Sequence, residues 1–117
     1  MLAKTFGWSW LMSTWKPITR EEMAALLLDE LAKCDVAEQA KYEEVRVPLR
    51  QVQFDRAGTV DPVYVVAERE KYLLIYDDVE CGFEWCRPDS DGVIRRYACS
   101  QSDLQARMYE LVKYDLG

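Results

Sequence analysis

Six carboxylates and one thiol are the residues whose types and spacing could do chemistry. Asp77, Asp78, Glu80, Glu84, Asp89 and Asp91 fall within fifteen positions, with Arg87 as the one base among them. Carboxylates at this density could share a proton for acid–base work or hold a hard cation through oxygen ligands. Asp89-Ser90-Asp91-Gly92 has the opening of a calcium loop, but Ser100 stands where the terminal bidentate glutamate belongs. Cys99 is the best-placed nucleophile: it follows Arg95 and Arg96 and precedes a helix start, and both would favour a thiolate. The chain has no histidine, which removes Ser-His-Asp and Cys-His mechanisms. None of its four cysteines forms a CxxC pair, so the usual zinc patterns fail. Its five glycines are scattered and make no phosphate-cradling loop. No catalytic set, metal set or cofactor motif emerges, and the expectation is a non-enzymatic protein without a cofactor.

The acids are more informative as a charge distribution. Residues 77–91 carry −5, residues 1–76 carry −2 and residues 92–117 carry +1, so most of the net −6 sits in one short segment. Like charges packed this closely repel one another, and a basic partner relieves that repulsion. Tyr76, Phe83 and Trp85 lie among the acids, and aromatic anchors ringed by charge suit protein interfaces. The segment therefore reads as a docking surface for a basic protein, with Asp77, Asp78, Glu80, Glu84, Asp89 and Asp91 as contacts and Tyr76 as anchor. The plain alternative stays open: Asp is common in turns because it forms Asx-turns, and strand glutamates often face solvent. A sequence pI near 4.7 without clustered Lys and Arg argues against direct nucleic-acid binding.

The elements that must position these residues follow from periodicity. With 117 residues, half of them apolar, the chain suits one α+β domain with a sizeable core. Thr19 and Glu22 form a capping box before a helix over 20–33, with Met23, Leu26, Leu27, Leu31 and Cys34 inward and Glu30 off the stripe. Asp35 and Glu38 offer a second box, for a short helix over 36–44 with Val36, Ala37 and Ala40 inward, or for a bent continuation of the first. Strands follow. Residues 45–55 are interrupted by Pro48 and slip phase near Arg50-Gln51, as an edge strand or bulge would. Residues 57–62 are a turn, 63–68 a β-branched strand, and 70–71 a tight turn or a bulge. Tyr72–Tyr76 is apolar on both faces, a central covered strand. Residues 80–87 alternate, with Cys81, Phe83 and Trp85 on one face and Glu80, Gly82 and Glu84 on the other. Pro88–Gly92 reads as a hairpin turn returning to a last strand over 93–99. Ser100 or Ser102, the latter with Gln105, caps a final helix with Leu104, Met108, Leu111 and Val112 inward. The sum is a four- to five-stranded antiparallel β-meander packed against an N-terminal and a C-terminal helix.

The four cysteines are expected as buried, reduced thiols of a cytoplasmic protein. Residues 1–15 hold three of the four tryptophans, Trp8, Trp10 and Trp15. Two readings stand for this segment: an aromatic N-terminal arm, or a natural start at Met12 with residues 1–11 as upstream read-through. Its apolar run is too short to span a bilayer.

In size, charge and layout the whole chain resembles the bacterial immunity proteins of contact-dependent inhibition and other polymorphic toxin systems, without a diagnostic motif. The resemblance implies stoichiometric occlusion of a cognate basic toxin or nuclease domain, by a monomer or homodimer with no membrane role. An acidic, phage-type inhibitor or mimic acting on a nucleic-acid-binding protein is the alternative. On this reading, reversing the charge of Asp77 and Asp78 slows association and leaves thermal stability nearly unchanged.

Overall fold

A computed structural model describes residues 16–95 and 101–114. The aromatic N-terminal segment, Cys99, Ser100 and most of the expected last strand lie outside the described residues. The fold is α+β. Helices α1 (Arg20–Ala32) and α2 (Val36–Val45) precede strands β1 (Arg46–Arg56), β2 (Thr59–Arg69), β3 (Tyr72–Asp77), β4 (Gly82–Cys86) and β5 (Ile94–Arg95), and helix α3 (Leu104–Tyr114) follows. The sheet order is β4-β3-β2-β1-β5.

Of the three expected capping boxes, the first two form. Thr19 accepts from the Glu22 N–H while Glu22 accepts from the Thr19 N–H, and Asp35 and Glu38 do the same. The second box starts a separate helix, so α2 does not continue α1. Its inward face differs from the expected one: Val36 is 84% exposed and Ala37 and Ala40 are exposed, while Glu38, Tyr42 and Val45 are buried. Glu38 turns inward because its carboxylate accepts from Gln105 of α3 as well as from Asp35. Glu30 of α1 is buried for a similar reason: one oxygen accepts the Leu104 N–H at 3.0 Å and the other holds Lys33 at 3.1 Å. A binary pattern counts a glutamate as outward, whereas here two glutamates supply acceptors that a helix start needs. Asp103, rather than Ser100 or Ser102, caps α3 by accepting the Ala106 N–H. Leu104 and Met108 are buried as expected, while Val112 is 40% exposed.

Strands β1 to β4 form the expected antiparallel meander. The β1–β2 turn is only Ala57-Gly58, with φ of 53° and 101°, the two positive values of a type I′ hairpin turn. Residues 59–62 therefore belong to β2, and Pro62 is tolerated because β2 pairs with β3 only from Tyr64 onward. The irregularity in β1 falls between Arg46 and Arg50, around Pro48, rather than at Arg50-Gln51. It puts Val47 against one core cluster and Leu49 against the other.

The last strand departs from expectation. β5 does not return beside β4; it pairs parallel to β1 on the far edge, Phe54 opposite Ile94 and Asp55 opposite Arg95. Pro88–Gly92 is thus part of a crossover rather than a hairpin, although Gly92 has the anticipated positive φ of 84°. Cys86 and Ile94, on either side of this crossover, share one core cluster with Phe54, Val63, Val65, Leu73 and Ile75. The opposite face carries Tyr64, Val66, Leu74 and Phe83 against Met23, Leu27, Tyr42, Leu104 and Met108 of the helices. β3 is covered on both faces, as its sequence suggests.

Candidate functional site

Register and the hairpin turns bring most of the acidic residues to one end of the sheet. β1 and β3 both run antiparallel to β2, so the end of β1, the β1–β2 turn and the end of β3 lie together. Arg56 marks the junction. It shares a face with Phe54, its guanidinium stacks 4.8 Å from that ring, and it reaches across β2 to both oxygens of Asp77 at 2.8 and 2.9 Å. Asp77 is fully buried and also accepts the backbone N–H groups of Val79 and Glu80. Burial opposes its charged form, but the Arg56 bonds and the two backbone donors prevail and hold its carboxyl below the usual value. Asp77 is a structural group that closes the end of one core cluster and offers no surface to a partner.

Asp78, next in the turn, is half-buried and accepts the Ile18 N–H at 2.9 Å, anchoring the chain just before α1. Burial pushes its carboxyl up, helped by the charges of Asp77 and Asp61 and opposed by the Ile18 bond. Glu80 belongs to the β3–β4 turn, not to β4, because Asp78–Cys81 form that turn and Cys81 takes a φ of 60°. The alternation expected from Glu80 therefore starts only at Gly82, and Cys81 is exposed rather than in the core. Cys34 and Cys86 are buried free thiols.

A second group gathers around Arg95. Asp89 lies 2.8 Å and Asp91 2.8 Å from its guanidinium nitrogens, with Asp55 of β1 at 3.8 Å. Arg95 and the Val93 N–H hold the Asp91 carboxyl down, to about 2. This cluster is open to solvent, Asp89 and Asp91 being more than half exposed. Asp55 and Arg56 are adjacent in β1, so their side chains leave opposite faces of the sheet at the same end of it. Asp55, Asp61, Asp77, Asp78, Glu80, Asp89 and Asp91 stand against Arg56 and Arg95, a local balance of −5.

Glu84 and Tyr76 do not join them. Glu84 faces Arg107 of α3 at 3.4 Å, and that arginine also donates to the Phe83 carbonyl and the Ser102 hydroxyl. The same edge of β4 is held by the Phe83 N–H donating to the Ser102 carbonyl. Tyr76 packs against Phe83, ring centroids 4.9 Å apart, at the rim of the helix-covered core. Burial, with Cys81 and nearby acids, pushes its hydroxyl up to about 12. It is a packing residue rather than an exposed anchor. Asp55, Asp61, Arg56 and Arg95 were missed from sequence. Only the Asp55-Arg56-Ala57-Gly58 run, a tight-turn signature beside charges, pointed toward them.

Among the described residues, no three or more Cys, Asp or Glu side chains are grouped to hold a metal ion, and no helix is long and apolar enough to cross a membrane. No family model, curated protein or solved structure matches this chain.

Proposed function

We propose that this protein is a non-enzymatic binding protein that neutralises a basic partner, of the toxin-domain kind bound by immunity proteins, by stoichiometric occlusion through the acidic end of its sheet. The observation that carries this reading is that three separate turns, 57–58, 78–81 and 88–93, bring acids to one end of the sheet, with a balance of −5 there. Asp89, Asp91, Glu80, Asp55 and Asp61 form the contact surface, while Asp77 and Asp78 brace it from below. A field of one sign steers a basic surface into encounter and selects against acidic competitors. Arg95, held among three aspartates, keeps the cluster from repelling itself apart in the free protein. A partner's Lys or Arg would meet the outward lone pairs of the same carboxylates.

The test is capture from a lysate of the source cell at low salt, followed by a wash at about 0.5 M salt, where exposed charges are screened beyond a few ångströms. A basic protein eluting at equal stoichiometry, and binding Asp89→Lys/Asp91→Lys with association slowed about tenfold or more, supports the reading. An association rate and salt dependence unchanged by that double substitution would sink it.

A further inference from the structure

We infer that the opposite end of the sheet holds a binding site for a small aromatic zwitterion, a planar ring bearing a carboxylate and an ammonium group. The site starts from the register of β2. An irregularity between Val65 and Ala67 places Val66 and Ala67 both in the helix-side core, so the alternation shifts by one residue. Bulges re-aim side chains in this way. As a result Arg69, paired with Tyr72, comes up on the helix-covered face instead of the other. Trp85 pairs with Leu74, two residues along β3 from Tyr72 and on the same face. Leu111 of α3 packs over this row from above.

Arg69, Glu70, Tyr72, Trp85 and Leu111 together line a cavity of about 360 Å³, within the range of small-ligand sites, which are mostly apolar with a few placed polar groups. Tyr72 remains 46% exposed at its mouth. The two aromatic side chains and the leucine suit a flat ring. Arg69 supplies a planar fork that matches a carboxylate. Arg69 has further contacts in the fold, and its five donors let it keep them while accepting a ligand. Glu70 occupies the two-residue β2–β3 turn with φ 57°, a left-handed conformation that favours glycine. A glutamate there sets a carboxylate beside Arg69 at the same rim. Opposite charges side by side at the mouth of an apolar slot favour a ligand that carries both signs over one that carries either alone. The site is remote from the acidic turns, so it stands or falls independently of the binding-protein reading.

The experiment is a backbone-amide NMR titration of the full chain with L-tryptophan, with indole-3-propionate, which lacks the ammonium, and with tryptamine, which lacks the carboxylate. L-Tryptophan is expected to saturate shifts at Arg69–Tyr72, Trp85 and Leu111 with a Kd on the order of 1 mM, and to bind more tightly than either analogue. Arg69→Gln should weaken it about tenfold. Glu70→Gln should weaken L-tryptophan while leaving indole-3-propionate equal or tighter. Absence of saturable shifts at these residues with all three probes overturns the site. Equal affinity for L-tryptophan and indole-3-propionate, unmoved by Glu70→Gln, overturns the zwitterion assignment.

Discussion

Asp77→Asn is expected to destabilise the fold by about 3 kcal/mol, a large share of the roughly 5–15 kcal/mol available to a domain of this kind. The magnitude follows from the surroundings. The Asp77 side chain is fully buried and Arg56 is 18% exposed, and removing one partner of a buried ion pair costs about 3–5 kcal/mol because the other charge is stranded. Arg56 can recover some hydration through its exposed portion, which places the loss near the lower end. The amide keeps one acceptor for the Val79 and Glu80 N–H groups but cannot also hold both arms of the guanidinium. For a chain of this size the change corresponds to a fall in Tm of roughly 10–15 °C. Urea unfolding near neutral pH should show a lower midpoint at unchanged slope, since the surface exposed on unfolding is the same. The pH dependence has a definite sign. The folded Asp77 carboxyl lies below its ordinary 3.8, so its contribution is fully present above that value and is lost as pH falls through the lowered folded value. The gap between wild type and Asp77→Asn should therefore be full near neutral pH and close under strong acid. Arg56→Met/Asp77→Leu should regain much of the loss, because an apolar pair needs no desolvation. A midpoint for Asp77→Asn within about 0.5 kcal/mol of wild type would refute the reasoning. Charge reversal to Lys at this position, harmless if Asp77 were a surface contact, instead sets two cations together in a closed space and is expected to unfold the chain.

Two further outcomes follow from the same geometry. Glu30→Ala removes the acceptor for the Leu104 N–H and should cost about 1–2 kcal/mol, with faster hydrogen exchange at the start of α3, whereas Glu30→Gln retains an acceptor and should cost less than half of that. In a Cys99→Ser background a single thiol, Cys81, should react rapidly with Ellman's reagent in the native state, and fast reaction of Cys34 or Cys86 would contradict their burial.

Local signals carried the elements well. Two capping boxes, a tight turn at Glu70-Lys71 and the doubly apolar Tyr72–Tyr76 each have a short-range physical cause, and each forms where the residues require. What escaped the sequence has long-range causes. Asp89-Ser90-Asp91-Gly92 has the chemistry of a hairpin turn and adopts a turn, but nothing within it specifies that the following strand joins β1 rather than β4. Glu30 and Glu38 look like solvent-facing residues until α3 arrives with backbone and amide donors. The acidic residues were legible as a group, yet their sorting was not. Whether a given carboxylate is buried with Arg56, tied to Arg107 or open beside Arg95 depends on arginines 4 to 23 positions away. Charge counting along the chain cannot register such pairs.

The parallel placement of β5 has a consequence for how the chain is made. Phe54 and Asp55 emerge from a ribosome about forty residues before Ile94 and Arg95 do. By the end of that interval the four-stranded meander can form from neighbours alone, while the end of β1 presents unpaired backbone groups and the Phe54 side chain lacks its Ile94 neighbour. An open strand of this kind recruits other chains, and closure across a long loop is slow compared with hairpin formation. Arg46, Pro48 and Arg50, on the other half of β1, are the charged and ring-locked residues that blunt such an edge. Nascent-chain protection is thus built into one half of the strand, and the second half waits for the C-terminal residues to complete it.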